Sequence, residues 1–166
     1  MAIPEQIKPT KLGDYLEIMS KAIFQAGLRW SMIEAKWPDF LRAFDNFDPH
    51  VVANYDAKDI KRLSEDQSII RSPKKIEGTV ANARTLLALD AEFNGFPNYL
   101  HSFETYDELG KDIKKRFKFM GELNVYYFLF RLKEPVPPFE EWITTIEGEH
   151  PRMREMVEHA EKGGGH

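Results

Sequence analysis

Cysteine is absent from the 166 residues. Its absence excludes a disulfide framework, a thiolate metal site, a cysteine nucleophile and thiol redox chemistry, and it fits a reducing, cytoplasmic compartment. No apolar run approaches the roughly 20 residues that a membrane-spanning helix needs, and the opening MAIPEQIKPTKLG carries no apolar leader. A soluble, untargeted protein with no membrane partner is expected. Also missing is the alternation of apolar and polar residues between turn signals that marks a half-buried strand, so the expected fold class is all-α. No segment repeats another.

What is present is an ordinary globular composition, with 42% hydrophobic and 30% charged residues, 10 Gly and 10 Pro. At this length roughly 70% of the unfolded chain's surface is buried on folding, enough for a core without disulfide or metal staples. A single domain over 1–166 is expected, with an N-terminal arm at 1–13, a Pro-rich connector at 133–138 and a flexible tail at 163–166, and the protein is expected to be a monomer. Lys and Arg number 23 against 27 Asp and Glu, a net charge of −4. That is not the balance of a general nucleic-acid coat protein. The charge is nevertheless segregated. The stretch KDIKKRFK at 111–118 holds five cations to one anion, whereas 140–161 holds seven Glu against Arg152 and Arg154. The basic stretch reads either as a solvated helix face or as a strip facing phosphates, with Lys118 as a contact.

Apolar spacing of 3.6 predicts a first helix over about 14–25, with Tyr15, Met19, Ala22 and Ile23 on one face, Gly27 as its stop, and Asp14 with Glu17 as a capping-box-like start. A short helix is expected at 31–36 and a separate one from Pro38, burying Phe40, Leu41 and Phe44. Asp48-Pro49 repeats the cap-then-proline signal. Asp56 caps a helix through Ile60 and Leu63, and Ser72-Pro73 opens a long one with the stripe Ile76, Val80, Ala83 and Leu87, ended by Asn94-Gly95. Pro97 starts a short helix. Thr105 to Glu108 forms a capping box leading into the basic segment, and Gly121 separates that helix from an aromatic one at 123–130. Pro135, Pro137 and Pro138 forbid a helix through the connector. Phe139, Trp142, Ile143 and Ile146 then suggest one helix, and Pro151 another.

Two units carry chemistry. Residues 57–93 form a helix, a tight connection SEDQSIIRSPKK and a long helix, a geometry like a helix-hairpin-helix. Such a unit presents backbone N–H groups and a helix N-terminus to a phosphate, here with Arg71, Ser72, Lys74 and Lys75, without reading base sequence. An ordinary helical hairpin with solvated lysines gives the same local sequence. The second unit is FQAGLRW at 24–30, where a helix stops at Gly27 and leaves Leu28, Arg29 and Trp30 on or near a turn. Gly27 lets the backbone approach a ligand closely. An apolar wedge, an Arg and a large aromatic are the parts needed to open a base stack and receive an extruded base. Phe24 and Trp30 also fit as plain core residues.

Taken together and in order, FQAGLRW, FDPHVVANYDAKDIKRLSEDQSIIRSPKKIEGTVANAR, YLHSF and KKRFKFMGELNVYYF resemble the DNA 3-methyladenine glycosylase I family, within the helix-hairpin-helix glycosylase superfamily. The likeness covers about two thirds of the chain. It implies an all-helical fold with two helical subdomains flanking a cleft, base-excision repair of alkylated purines, and damaged double-stranded DNA as the partner. It also implies departures. The family places a glutamate in the base pocket eight residues before the tryptophan, and here that residue is Ala22. The family's leading segment with pocket tyrosines has no counterpart. Its structural zinc site of Cys and His near both ends has none either, because there is no Cys and His150, His159 and His166 do not reproduce the pattern. The loop between Phe103 and Lys111 is short beside the family's, and the Gly usual between Arg116 and Phe117 is missing.

On this resemblance the expected activity is hydrolysis of the N-glycosidic bond of an extruded alkylated purine, with no cofactor and no metal. A purine alkylated at N3 or N7 is cationic, so its glycosidic bond is already weakened and little leaving-group protonation is required. Trp30 is expected to stack on the base and Phe24 and Gln25 to line the slot. Gly27, Leu28, Arg29, Arg71, Ser72, Lys74, Lys75 and Lys118 are expected to hold the DNA. Glu17, Glu34 and Glu122 are the candidate replacement carboxylates, each also readable as an ordinary helix Glu, and none is assigned a catalytic role. The alternatives are a non-catalytic binder of damaged DNA and a glycosylase with changed lesion specificity.

Overall fold

The computed structural model describes residues 6–146. The helix expected at Pro151, the tail at 163–166, the three C-terminal histidines and the first five residues of the arm lie outside the described residues. Those described are helical or irregular, with no strand among them.

Helix α1 (Leu12–Gln25) starts two residues before the expected point. Asp14 is its third residue rather than its cap. The Asp14 carboxylate receives the backbone N–H groups of Thr10 and Lys11 at 2.8 and 3.3 Å, closing the start from within the first turn. Glu17, expected to complete that start, instead accepts the indole N–H of Trp37 at 3.0 Å. The largest departure is at Pro38. One helix, α2 (Trp30–Ala43), runs through it where two were expected. Proline removes one helical hydrogen bond. The buried stripe Trp30, Ile33, Trp37 and Phe40 continues across it at helical spacing, and that packing carries the helix on.

After a 3-10 turn at Asp45–Phe47 the chain builds α3 (Pro49–Val52) and α4 (Ala57–Ser64). Asp56 caps α4 by accepting the N–H groups of Lys58 and Asp59 at 3.0 and 3.1 Å, while Asp59 takes the Asp56 N–H in return. The long α5 (Pro73–Glu92) starts at the Ser72-Pro73 signal and ends where Asn94 and Gly95 take positive φ of 56° and 131°. Then come α6 (Phe96–Leu100), α7 (Tyr106–Arg116), capped by Thr105, and α8 (Glu122–Arg131). The proline connector leads to α9 (Phe139–Trp142) and a 3-10 turn at Ile143–Thr145, not the single helix expected there.

Helix α1 packs against α2, α5 and α8. Its buried residues divide between two apolar clusters. Leu16, Met19, Ile23 and Phe24 belong to the main core, whereas Ala22 belongs to a smaller aromatic cluster with Trp30, Tyr126, Tyr127 and Trp142. Two consecutive residues of one helix point about 100° apart, so α1 serves both clusters.

Candidate nucleic-acid interface

The turn between α1 and α2 is built by Gly27, whose φ of +78° is the left-handed conformation expected of a helix stop. Its backbone is exposed, with nothing within 4 Å of where a Cβ would sit. Leu28 is half-buried and its N–H donates to the Gln25 carbonyl at 2.9 Å. Arg29 is exposed and occupies the cap position of α2 without a side-chain cap. Gln25 is fully buried, and neither its amide oxygen nor its amide nitrogen has a hydrogen-bond partner among the described residues.

Trp30 opens α2 and is 3% exposed. Tyr127 of α8 lies against it, with ring centroids 5.0 Å apart and planes inclined by 48°. Behind Tyr127 the buried Arg131 donates from Nη1 to the phenol oxygen at 3.1 Å, its guanidinium 5.5 Å from the ring centroid. Trp142 stacks on Tyr126 at 3.9 Å, and Tyr126 donates to the Pro137 carbonyl at 2.9 Å, which fixes the connector over the cluster. Burial pushes the Tyr126 phenol up to about 12, with Glu140 adding to the effect. Burial and the nearby Tyr126, Glu122 and Asp107 raise Tyr106 as well.

Phe24 is not beside Trp30. It packs in the main core against Phe40 and Phe44, with centroids 4.9 and 6.0 Å away and planes inclined by 55° and 57°. Residues 22 and 24 project from opposite sides of α1, and this corrects the reading of Phe24 as a slot residue. The three candidate replacement carboxylates are each engaged elsewhere. Glu17 holds Trp37, Glu34 pairs with the buried Lys21 at 2.5 Å, and Glu122 pairs with Lys114 at 3.6 Å. Lys21, Glu17, Glu34, Trp37 and Arg131 line a cleft of about 320 Å³. Burial lowers the Lys21 ammonium below the usual lysine range, partly offset by its hydrogen bond to Glu34. Tyr127, Arg131 and Lys21 were not singled out by the sequence. Only the YYF run inside the fourth matching stretch pointed at α8, and nothing in its spacing marks which tyrosine meets Trp30.

The hairpin is a second assembled unit. Helices α4 and α5 pack on one another. Their connection is tied by Ser68, whose N–H and hydroxyl donate to Asp66 at 2.9 and 2.6 Å and whose hydroxyl receives Arg42 at 2.9 Å. At the start of α5, Ser72 Oγ lies 3.4 Å from the Lys75 N–H. Arg71 and Lys74 are exposed and Lys75 is half-buried. Lys118, far along the chain, joins the middle of α5, as its N–H donates to Asn82 at 2.7 Å and its carbonyl accepts from Asn82 at 3.1 Å. Among the described residues, no group of three or more His, Asp or Glu is placed to hold a metal ion. No helix among them is long and apolar enough to cross a membrane.

The sequence profile of the methyladenine glycosylase family matches residues 11–119, spanning α1, the Gly27 turn, the hairpin and the Lys118 segment. The chain is 32% identical over 126 residues to the DNA-3-methyladenine glycosylase 1 of Escherichia coli K12, covering 63% of this chain and 67% of that protein. It is 31% identical over 126 residues to the DNA-3-methyladenine glycosylase of Haemophilus influenzae Rd, covering 63% and 68%. A solved structure of the Staphylococcus aureus 3-methyladenine DNA glycosylase I, concerned with its recognition of 3-methyladenine, superposes with a TM-score of 0.69 at 26% identity, covering 77% of this chain and 79% of that one.

Proposed function

This chain belongs to the methyladenine glycosylase family, and from that premise we propose that it is a monomeric DNA repair glycosylase that extrudes alkylated purines of the 3-methyladenine type from double-stranded DNA and hydrolyses their N-glycosidic bond. The observation that carries the reading is the Gly27 turn, which joins an exposed backbone corner to an aromatic wall at Trp30 within the matched region. Leu28 enters the opened duplex beside Gly27, while Arg29, Arg71, Ser72, Lys74, Lys75 and Lys118 hold phosphates. The base reaches the face of Trp30 when Tyr127 swings aside, and Gln25 supplies the polar edge. The C1′–N bond of the sugar then breaks with its electron pair going to the base, the already cationic base leaves neutral, and water adds to C1′ and gives up one proton to the surrounding solvent. The pocket therefore contributes extrusion and fit, and no side chain is assigned as acid or base.

A second reading is favoured by two observations: Ala22 supplies no carboxylate, and Tyr127 covers Trp30. On it the scaffold binds distorted duplex without excising a base, or excises a different lesion. The experiment that separates these readings is chromatographic detection of free base released from methylated duplex, with undamaged duplex as control and a panel of other lesions beside it. Release of 3-methyladenine supports the leading reading. Release only by Ala22→Glu supports the binding-only reading, and release of another base supports altered specificity.

A further inference from the structure

Phe119 is a large aromatic residue left 45% exposed, and its φ of +61° is a conformation that bulky side chains rarely adopt. Such strain persists where the surrounding structure over-determines it. Three separate contacts do so here. The carbonyl of Phe119 accepts the Asn124 side-chain N–H at 2.7 Å. The preceding residue, Lys118, has both its backbone N–H and its carbonyl held by the buried Asn82. The ring lies over Gly78 so closely that a Cβ there would meet its atoms at 2.8 Å. Gly78 and Asn82 are one turn apart on the same face of α5, so this face is shaped to receive the 118–119 corner.

The corner is also basic. Lys74 and Lys75 precede Gly78 by four and three residues, which puts them one turn towards the hairpin on that same face, and the Lys118 Cβ would lie 3.5 Å from a Cβ at Gly78. An exposed, rigidly held ring bordered by lysines is suited to a ligand with both an apolar surface and phosphates. We infer that Phe119 is a preformed DNA contact, its ring resting on a deoxyribose while Lys118 meets the adjoining phosphate. The inference rests on the reading that the protein acts on duplex DNA, and it extends the interface from the hairpin connection to the middle of α5.

The test is fluorescence anisotropy with a short undamaged duplex over a series of salt concentrations, alongside thermal melting. Phe119→Gly relieves the positive φ and removes the ring. It is expected to keep or raise Tm while weakening the duplex Kd by about tenfold with the salt slope unchanged. Phe119→Leu, which keeps an apolar cover on Gly78 without a flat ring, should lose less. Lys118→Ala should weaken binding and flatten the salt slope by about one phosphate contact. Normal duplex affinity of Phe119→Gly, or its failure to fold combined with normal affinity of Phe119→Leu, would overturn the inference and make the ring a structural cover. Absence of duplex binding by the natural protein would instead overturn the DNA reading on which it rests.

Discussion

Tyr127 lies against Trp30, 5.0 Å between ring centroids, and is itself held from behind by Arg131. The aromatic wall that the Gly27 turn delivers is therefore covered in the resting protein. Replacing Tyr127 by Ala should uncover it. A buried aromatic truncation costs about 3 kcal/mol or more, so activity has to be compared per folded molecule. Base release per folded molecule should rise and Trp fluorescence should shift to longer wavelength. Unchanged emission and release would show that Tyr127 is no barrier.

The buried Gln25 amide has no partner among the described residues. An unsatisfied buried amide costs roughly 1–3 kcal/mol. Gln25→Met, similar in size and apolar, should therefore raise Tm while lowering base release. A variant that melts earlier would show that the amide is satisfied in solution, and unchanged release would remove Gln25 from the pocket.

Gly27 has a φ of +78° and open space around it. Gly27→Ala should destabilise the fold by only about 1 kcal/mol, the conformational cost of a side chain in that region. Duplex affinity should fall by more than this strain explains, because the new methyl group stands between backbone and DNA. Equal affinity would place the turn outside the interface.

Alkaline pH should weaken the fold. Burial raises Tyr15, Tyr55, Tyr99, Tyr106 and Tyr126 above the ordinary 10.0, with Asp45 adding to the effect at Tyr55 and Asp112 at Tyr99. Each phenol keeps its proton in the folded state after the unfolded chain has lost it, so stability falls as pH rises above about 10. Lys21 acts in the opposite sense. Its lowered value means that the unfolded chain binds the extra proton below 10.5, so its contribution improves with pH in that window. Five tyrosines oppose one lysine, and the urea midpoint should drop between pH 9 and 11. A flat midpoint, or phenol absorbance rising before unfolding, would show that these phenols are not shielded.

Much of this architecture was legible because its signals are local. Asp56, Ser72-Pro73, Thr105 and Gly95 each mark a helix end through their own backbone chemistry, and the structure uses each as a boundary. Pro38 misled because a local breaker is outweighed by a buried stripe that continues past it. The candidate site divides the same way. Gly27, Leu28 and Arg29 sit on the turn that the helix stop at Gly27 implied. Phe24 fell on the wrong side of α1, since spacing within a seven-residue motif does not say which of two cores a helix face serves. Tyr127 and Arg131 come from α8, and only tertiary packing brings them to Trp30.

The most direct measurement is single-turnover release of free base from methylated duplex DNA by the natural protein, with cleavage at abasic sites scored separately. The natural protein should release 3-methyladenine, with none from undamaged duplex and no strand cleavage, and Trp30→Phe should retain part of the release while remaining folded. Failure to release any base from a broad panel of lesions, with duplex binding intact, would contradict the glycosylase reading.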